Sequence, residues 1–225
     1  MIELDGVTHR YGDRTVLRDV TVTLTERRVA VIGANGSGKS TLARTLNGLV
    51  VPSQGRVVVN GNDTRTHGAA VRRDVGFVFT DPDAQIVMPT VGEDVAFSLR
   101  RSGITRLERD DRVSEVLARF GLDGYVDHPA HLLSGGQKQL LALASVLVTD
   151  PKVLVCDEPT TLLDLRNSRR VTQLLDGLSQ QVVLVTHHLD LVEGYERVLV
   201  VHDGAVVHDG PADSAVPAYL RLMQA

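Results

Sequence analysis

Hydrophobic residues follow two patterns along this chain, and each predicts a different kind of strand. In the segments 2–7 and 20–24 apolar and polar residues alternate, which predicts antiparallel strands with one buried and one exposed face. Four shorter runs are almost continuously apolar, as expected for strands covered on both faces; they are 29–32, 75–79, 153–156 and 182–186. Since helical spacing separates these runs, we expect an α/β core with a mostly parallel sheet and an antiparallel β subdomain at the amino terminus.

Between residues 90 and 148 the strand-like runs give way to helical spacing. Apolar residues recur there with charged residues between them, at Val113, Val116, Leu117 and Phe120. This spacing predicts a helical subdomain over about 90–148, inserted into a single domain that spans 1–225.

Near the carboxyl terminus two apolar runs flank an Asp-Gly pair. The runs are 198–201 and 206–207, and Asp203-Gly204 lies between them. Because Asp-Gly supplies the positive φ angles of a tight turn, the segment predicts a β-hairpin. A short amphipathic helix near 219–223 is predicted to follow.

Charge and composition exclude several classes of function. The 24 basic residues are outnumbered by 28 acidic ones, so the 225-residue chain carries a net charge of −4 and nucleic acid is not an expected partner. No stretch approaches the roughly 20 apolar residues of a membrane span, and the first residues lack the features of a secretory signal. We therefore expect a cytosolic chain. The single cysteine, Cys156, lies in an apolar run and is expected to be a core residue.

A glycine-rich segment follows the apolar run 29–32 and precedes a stretch with helical spacing. It reads Gly33-Ala34-Asn35-Gly36-Ser37-Gly38-Lys39-Ser40, which satisfies the phosphate-loop pattern GxxxxGK followed by Ser or Thr, and Thr41 comes next. The glycines let backbone N–H groups point at a β-phosphate, and the following helix adds the positive end of its dipole. Lys39 is expected to bridge β- and γ-phosphates, and Ser40 to ligate Mg²⁺.

Two carboxylates follow the apolar run 153–156. Asp157 and Glu158 lie at the sheet edge where an α/β fold places its ligands. Asp157 can reach a Mg²⁺ ion, and Glu158 is placed to orient and deprotonate an attacking water. Adjacent acids after a strand are often only solvated, but together with the phosphate loop they predict nucleotide hydrolysis.

A second glycine-rich segment, Ser134-Gly135-Gly136-Gln137, opens an apolar helix that continues through 140–148. Ser134 fits a helix N-cap, which explains the serine but not the Gly-Gly-Gln that follows it. The segment offers a second set of helix N-terminal donors for anionic oxygen.

The phosphate loop, the segment Leu133-Ser134-Gly135-Gly136-Gln137 and the pair Asp157-Glu158 resemble, in order and spacing, the ATPase subunits of ABC transporters. The resemblance covers essentially the whole chain. It implies a P-loop NTPase core with an inserted helical subdomain that contains the signature segment 133–137. It also implies ATP and Mg²⁺ as cofactors.

The resemblance gives three further residues a role. Tyr11 is similar to the aromatic residue that stacks on adenine, Asp164 to the D-loop aspartate, and His187 to the switch histidine that contacts the γ-phosphate. Each also has a plainer interpretation, as a half-buried strand aromatic, a helix cap and a strand-end residue respectively. As a series they favour the functional roles, with Lys39, Glu158 and His187 as the catalytic residues.

The same resemblance implies a head-to-tail dimer. ATP would be held by the phosphate loop of one subunit and by Ser134 and Gly136 of the other, and hydrolysis through Glu158 would separate the two. We expect a homodimer, or a heterodimer with a second ATPase, at the cytoplasmic face of a membrane.

Two further segments indicate which group of ABC transporter ATPases the chain resembles. Residues 81–85 read Asp-Pro-Asp-Ala-Gln and residues 90–97 read Thr-Val-Gly-Glu-Asp-Val-Ala-Phe, which is similar to the Q-loop region of energy-coupling factor ATPases. Those subunits power uptake through a transmembrane coupling subunit and a separate substrate-binding membrane subunit. The resemblance therefore implies these two partners, with biotin as the first candidate substrate and cobalt or nickel as the second.

The sequence departs from the family pattern at two places. Thr80 stands where a glutamine usually follows the strand, and Gln85 is the nearest glutamine. Either the Thr80 hydroxyl or the Gln85 amide would supply the contact to Mg²⁺ and water. The D-loop reads Thr161-Leu162-Leu163, where the family has serine, a small residue and leucine.

Three alternatives remain for the function. A conventional ABC importer or exporter ATPase would share every catalytic residue and would differ from an energy-coupling factor ATPase only in the sequence of the segment 81–97. A soluble ABC ATPase of DNA repair or translation would need a second nucleotide domain or long coiled coils, and this chain has no heptads. A nucleotide-binding scaffold would not need Glu158 as a base.

Overall fold

The computed structural model describes residues 1–224, which form ten strands and seven α-helices. The strands are β1 Ile2–Tyr11, β2 Arg14–Leu24, β3 Arg28–Ile32, β4 Gln54–Val59, β5 Asn62–Asp63, β6 Val75–Val78, β7 Val153–Asp157, β8 Gln181–Val185, β9 Arg197–His202 and β10 Ala205–Gly210. The helices are α1 Lys39–Leu46, α2 Gly68–Asp74, α3 Val91–Ser98, α4 Arg106–Arg119, α5 Gly135–Leu147, α6 Leu165–Asp176 and α7 Ala212–Leu222. Four 3₁₀ turns complete the elements: Pro82–Ala84, Asp123–Tyr125, Ala130–Leu132 and Leu189–Val192.

The strands form two sheets, as the hydrophobic pattern predicts. A four-stranded antiparallel sheet has the order β2-β1-β4-β5, and its first pair sets Ile2 opposite Leu24 and Leu4 opposite Val22. A six-stranded sheet has the order β10-β9-β3-β8-β7-β6, with parallel pairing from β9 through β3 and β8 to β7. Every residue of β3 and β7 is buried. The α/β core with an antiparallel β subdomain is therefore confirmed.

The chain divides into two compact units. The first comprises 1–76, 152–158 and the chain from Leu178 onward. In it, α1 packs against β4 of the antiparallel sheet and against β7 and β8 of the parallel one. Cys156 lies within this core with no exposed surface, and burial raises the pKa of its thiol. Its predicted role as a core residue is confirmed.

The second unit comprises 77–151 and 159–177 and contains α3 to α6. The helical subdomain expected over 90–148 lies inside it. Its core forms where α5 packs against α3, α4 and α6, and three of its helices begin with a capping box. No helix of the described chain has both the length and the apolar character that crossing a bilayer requires.

Three elements are not evident from the sequence pattern, and one is longer than predicted. The sequence pattern does not predict β4 and β5, because the valines 57–59 form too short an apolar run. It does not predict α2, because this helix buries only Val71. The terminal helix was expected near 219–223, but α7 begins at Ala212 and continues through Pro217. Pro211 precedes the first turn, where backbone N–H groups have no helical partner.

A buried carboxylate organises the second unit. Asp94 on α3 is 3% exposed. It accepts hydrogen bonds from the backbone N–H groups of Val87 and Met88 at 2.8 and 3.1 Å and from Ser145 Oγ at 2.9 Å. Asp94 thus fixes the segment before α3 onto α5.

We predict that Asp94→Ala lowers the free energy of unfolding by about 3 kcal/mol, because hydrogen bonds to a charged group are lost and buried donors stay unsatisfied. Urea denaturation measures the effect. Asp111→Ala, at an exposed position on α4, is the matched control and should change stability by less than about 0.5 kcal/mol. Equal stability of the two variants would contradict the role of Asp94.

Candidate nucleotide-binding site

The glycine-rich loop lies between the carboxyl end of β3 and the start of α1. Gly33 follows the strand, Asn35 and Gly36 are exposed at the tip, and α1 begins at Lys39. A Cβ atom on Gly33 would lie 2.2 Å from the carbonyl oxygen of Val201, so only glycine fits at this position. The first turn of α1, which contains Ser40 and Thr41, therefore lies at the carboxyl end of β3 in the parallel sheet.

Lys39 lies inside this loop and is 5% exposed. Its Nζ donates to the carbonyl oxygens of Gly33 at 2.8 Å and Ala34 at 3.0 Å. Burial lowers the pKa of the ammonium group, and the negative charges of Glu158 and Asp157 oppose that shift. A cation held here can donate to phosphate oxygens that enter the loop.

Ser40 and Asp157 join the loop to β7. Ser40 Oγ donates to Asp157 Oδ1 at 2.8 Å, and Arg44 lies 3.7 Å from the other carboxylate oxygen. Burial raises the pKa of Asp157, whereas the Ser40 hydrogen bond and the Arg44 charge lower it. A hydroxyl and a carboxylate oxygen together suit Mg²⁺, which takes one or two protein oxygens and completes its shell with phosphate and water.

Glu158 has a backbone conformation that is unusual for its residue type. Its φ is +53°, and its N–H donates to the carbonyl oxygen of Val185 at 2.9 Å. Its carboxylate lies 2.8 Å from Nδ1 of His187, whose ring stacks on His188 at 4.1 Å. Left-handed backbone at a residue with a side chain costs about 1–3 kcal/mol and is concentrated at functional sites. The strand ends thus place a carboxylate and an imidazole in direct contact.

Tyr11 ends β1 and is 51% exposed. Its ring packs edge-to-face on His9, with the centroids 4.6 Å apart and the planes at 82°. An exposed aromatic ring at a strand end can stack on a planar ligand.

The other predicted residues lie in the second unit. Ser134 Oγ accepts from the Gln137 N–H at 3.3 Å, and Gln137 Oε1 accepts from the Ser134 N–H at 2.9 Å. Gly135 and Gly136 form the first turn of α5. Asp164 caps α6 by accepting from the Asn167 N–H at 2.8 Å. The plainer interpretations of Ser134 and Asp164 as helix caps are therefore confirmed.

Comparison with known proteins decides the family. The sequence pattern that defines the ABC transporter family matches residues 17–161. The chain belongs to this family.

Full-length relatives and solved structures agree with this family. The chain is 52% identical to a Deinococcus radiodurans protein that carries only a general ABC transporter ATP-binding name, over 99% of both chains. It is 46% identical to the biotin transport ATP-binding protein BioM of Rhizobium etli, over 98% of both chains. The structure of cbiO1 from Clostridium perfringens, described as part of the cbiONQ ABC transporter complex, has a TM-score of 0.85 at 31% identity over 99% of this chain and 92% of that one. This ABC chain is an ATPase.

Three contacts of this ABC ATPase were missed by sequence reasoning. Arg44 is one helical turn after Ser40 on α1, which is the only signal that could have indicated its approach to Asp157. Asn167 lies beside Gly136, since a Cβ atom added to Gly136 would be 2.4 Å from Cγ of Asn167. His188 stacks on His187. The contact between Gly136 and Asn167 has no signal in the local sequence pattern, because the two residues lie far apart along the chain.

Gln85 is engaged in the packing of the second unit. Its Oε1 accepts from the Phe79 N–H at 3.3 Å, and its Nε2 donates to the Ala142 carbonyl at 3.1 Å. These two bonds hold the Gln85 amide within the second unit, and Thr80 is half-buried beside Phe79.

We predict that Lys39→Ala weakens ATP binding at least about tenfold, because the phosphates lose a buried charge-assisted donor. Titration with a fluorescent ATP analogue measures the dissociation constant. Lys152→Ala removes an exposed lysine of the same unit, 3.0 Å from Asp74, and should leave the constant unchanged. Unaltered affinity in Lys39→Ala would remove this residue from the phosphate site.

Proposed function

We propose that this ABC ATPase powers an energy-coupling factor importer and that its transported substrate is biotin. The observation that carries the proposal is the 46% identity to a biotin transport ATP-binding protein over 98% of both chains. A second BioM protein, from Rhodobacter capsulatus, is 41% identical over the whole chain. Uptake of cobalt or nickel, which the resemblance of 81–97 to energy-coupling factor ATPases also implies, is the second candidate.

The first unit would bind and hydrolyse the nucleotide. Residues 33–41 surround the phosphates with backbone N–H groups, and Lys39 donates to their β- and γ-oxygens. Tyr11 stacks on the adenine. Ser40 and Asp157 would hold Mg²⁺, which would supply positive charge to the phosphate oxygens.

Glu158 would act as the general base for water. Its carboxylate accepts the water proton during in-line attack on the γ-phosphorus, and the bond to the leaving ADP oxygen breaks. His187, 2.8 Å from that carboxylate, orients Glu158 and contacts the γ-phosphate. Thr80 replaces the usual glutamine in the contact to Mg²⁺ and water, while Gln85 remains a structural residue.

The second unit would complete the site of another copy. The amino end of α5, with Ser134 to Gln137, presents backbone donors to the γ-phosphate held by the partner's loop. Asp164 lies beside the signature helix through Asn167 and belongs to the same contact surface. A related cassette with ADP and phosphate, described as dimeric, has a TM-score of 0.83 and supports this arrangement.

The second unit would also bind the transmembrane coupling subunit at the cytoplasmic face of the membrane. A surface cavity of about 310 Å³ lies between the segment 83–89 and the residues Ala130 and His131. Val87 at its rim is 62% exposed, and Leu132 nearby is 63% exposed. Apolar exposure of this kind beside a cavity is typical of a protein-binding surface.

We predict that Glu158→Gln lowers the turnover number at least about 100-fold, because water loses its base, while ATP affinity stays within about threefold. The variant should therefore elute as an ATP-dependent dimer in size-exclusion chromatography. Glu115→Gln, an exposed glutamate on α4, is the control and should behave as the parent. Hydrolysis at the parent rate would exclude Glu158 as the base.

We predict that the tagged chain purifies from solubilised membranes with a transmembrane coupling protein and a small hydrophobic binder that contains biotin. Val87→Asp should abolish this recovery, because a charge would be buried at the interface. Leu107→Asp, at a position of the same unit that is 78% exposed, should retain it. Recovery of a cobalt or nickel binder would favour the second candidate, and a conventional permease pair would overturn both.

A further inference from the structure

The chain contains two hairpin turns with the same backbone conformation but different surroundings. Asp203-Gly204 joins β9 to β10 with φ angles of +46° and +81°, and Asn60-Gly61 joins β4 to β5 with +49° and +80°. Positive φ at both positions is the type I′ geometry that suits a two-residue hairpin. The fold alone therefore explains a glycine at both turns.

Only the first of these turns has its glycine bound to the phosphate loop. The Gly204 N–H donates to the carbonyl oxygen of Ser37 at 2.9 Å, and the Gly204 carbonyl accepts from the Arg18 N–H of β2 at 2.8 Å. Arg18 Nε also donates to the carbonyl oxygen of Asp203 at 3.1 Å. Both backbone groups of Gly204 therefore form hydrogen bonds, the N–H to the phosphate loop and the carbonyl to β2.

The space around Gly204 is also more crowded than the space around Gly61. A Cβ atom on Gly204 would lie 2.5 Å from the carbonyl oxygen of Val16 and 3.3 Å from Cα of Leu17. A Cβ atom on Gly61 would meet nothing within 4 Å. A side chain at position 204 must therefore push the turn away from β2, whereas one at 61 meets no obstacle.

Strand β2 is itself paired with the strand that carries Tyr11. Tyr11 lies opposite Arg14 in the β1–β2 register, and Val16 and Arg18 follow on the same strand. The contacts of Gly204 therefore connect the wall that carries Tyr11 to the loop 33–40. A ligand that touches both walls requires them at one fixed separation.

We propose that Gly204 is a positioning residue for ATP: it sets the separation between the phosphate loop and the β1–β2 wall. The role is indirect, because Gly204 acts on the loop through its hydrogen bond to the Ser37 carbonyl and is not proposed to touch the nucleotide. The proposal rests on ATP binding at residues 33–41, as proposed above. Its consequence is that the carboxyl-terminal hairpin contributes to nucleotide affinity although it contains no phosphate-binding motif.

The test compares Gly204→Ala with Gly61→Ala, since both carry the same backbone strain. Gly204→Ala should weaken ATP binding by about tenfold or more, as expected when binding groups are displaced by an ångström. Gly61→Ala should bind within about twofold of the parent. Equal affinities of the two variants for ATP would overturn the proposal.

A second measurement covers the case in which Gly204→Ala does not fold. Arg18→Ala removes only the side-chain bond to Asp203, and Arg56→Ala removes an exposed arginine that lies 3.2 Å from Asp5 in the same sheet. Amide hydrogen exchange of the peptide 33–40, without nucleotide, should be about threefold faster in Arg18→Ala and unchanged in Arg56→Ala. Identical exchange in both would overturn the proposal.

The exchange measurement also separates this proposal from the assignment of the ATP site. If neither the parent chain nor Gly61→Ala binds ATP, the assignment of residues 33–41 fails. The exchange rates of the loop then decide alone whether the turn positions it.

Discussion

Burial of the Asp157 carboxylate is the constraint on which the site depends. An ion removed from water costs several kcal/mol unless charged groups and hydrogen bonds compensate it. Here the compensation comes from α1, whose Ser40 donates to one oxygen while Arg44 lies near the other. The carboxyl end of β7 and the amino end of α1 must therefore meet, and the loop between β3 and α1 is fixed between them.

Strand register extends the same constraint to Glu158 and His187, the two residues proposed to act in hydrolysis. Asp157 pairs with Val185 in the parallel ladder, and the Glu158 N–H donates to the carbonyl of that same Val185. His187 follows two residues later on the β8 side. The contact between Glu158 and His187 is thus fixed by backbone pairing, and Glu158 makes it with a positive φ angle.

Elements with a strong local pattern could be predicted from the sequence. The phosphate loop, the buried strands and the amino end of α5 each combine a hydrophobic run with glycines or caps in adjacent positions. β4 and α2 could not be predicted, because their few buried residues form no recognisable period. The hydrogen bond from Gln85 to the Ala142 carbonyl could not be predicted either, because these residues lie far apart in sequence. Local chemistry was predictable, whereas side-chain partners depended on tertiary structure.

The segment 79–88 is tied to α5 at three points. Gln85 bonds to Ala142, Lys138 forms an ion pair with Asp83 at 2.7 Å, and Asp94 links Val87 and Met88 to Ser145. These ties are spread along the helix from its second turn to its last. Because these contacts hold the segment to α5 along most of the helix, we expect the two to move together as one body. Ser134 is the N-cap of that helix, so we expect any displacement of the segment to shift Ser134 with it.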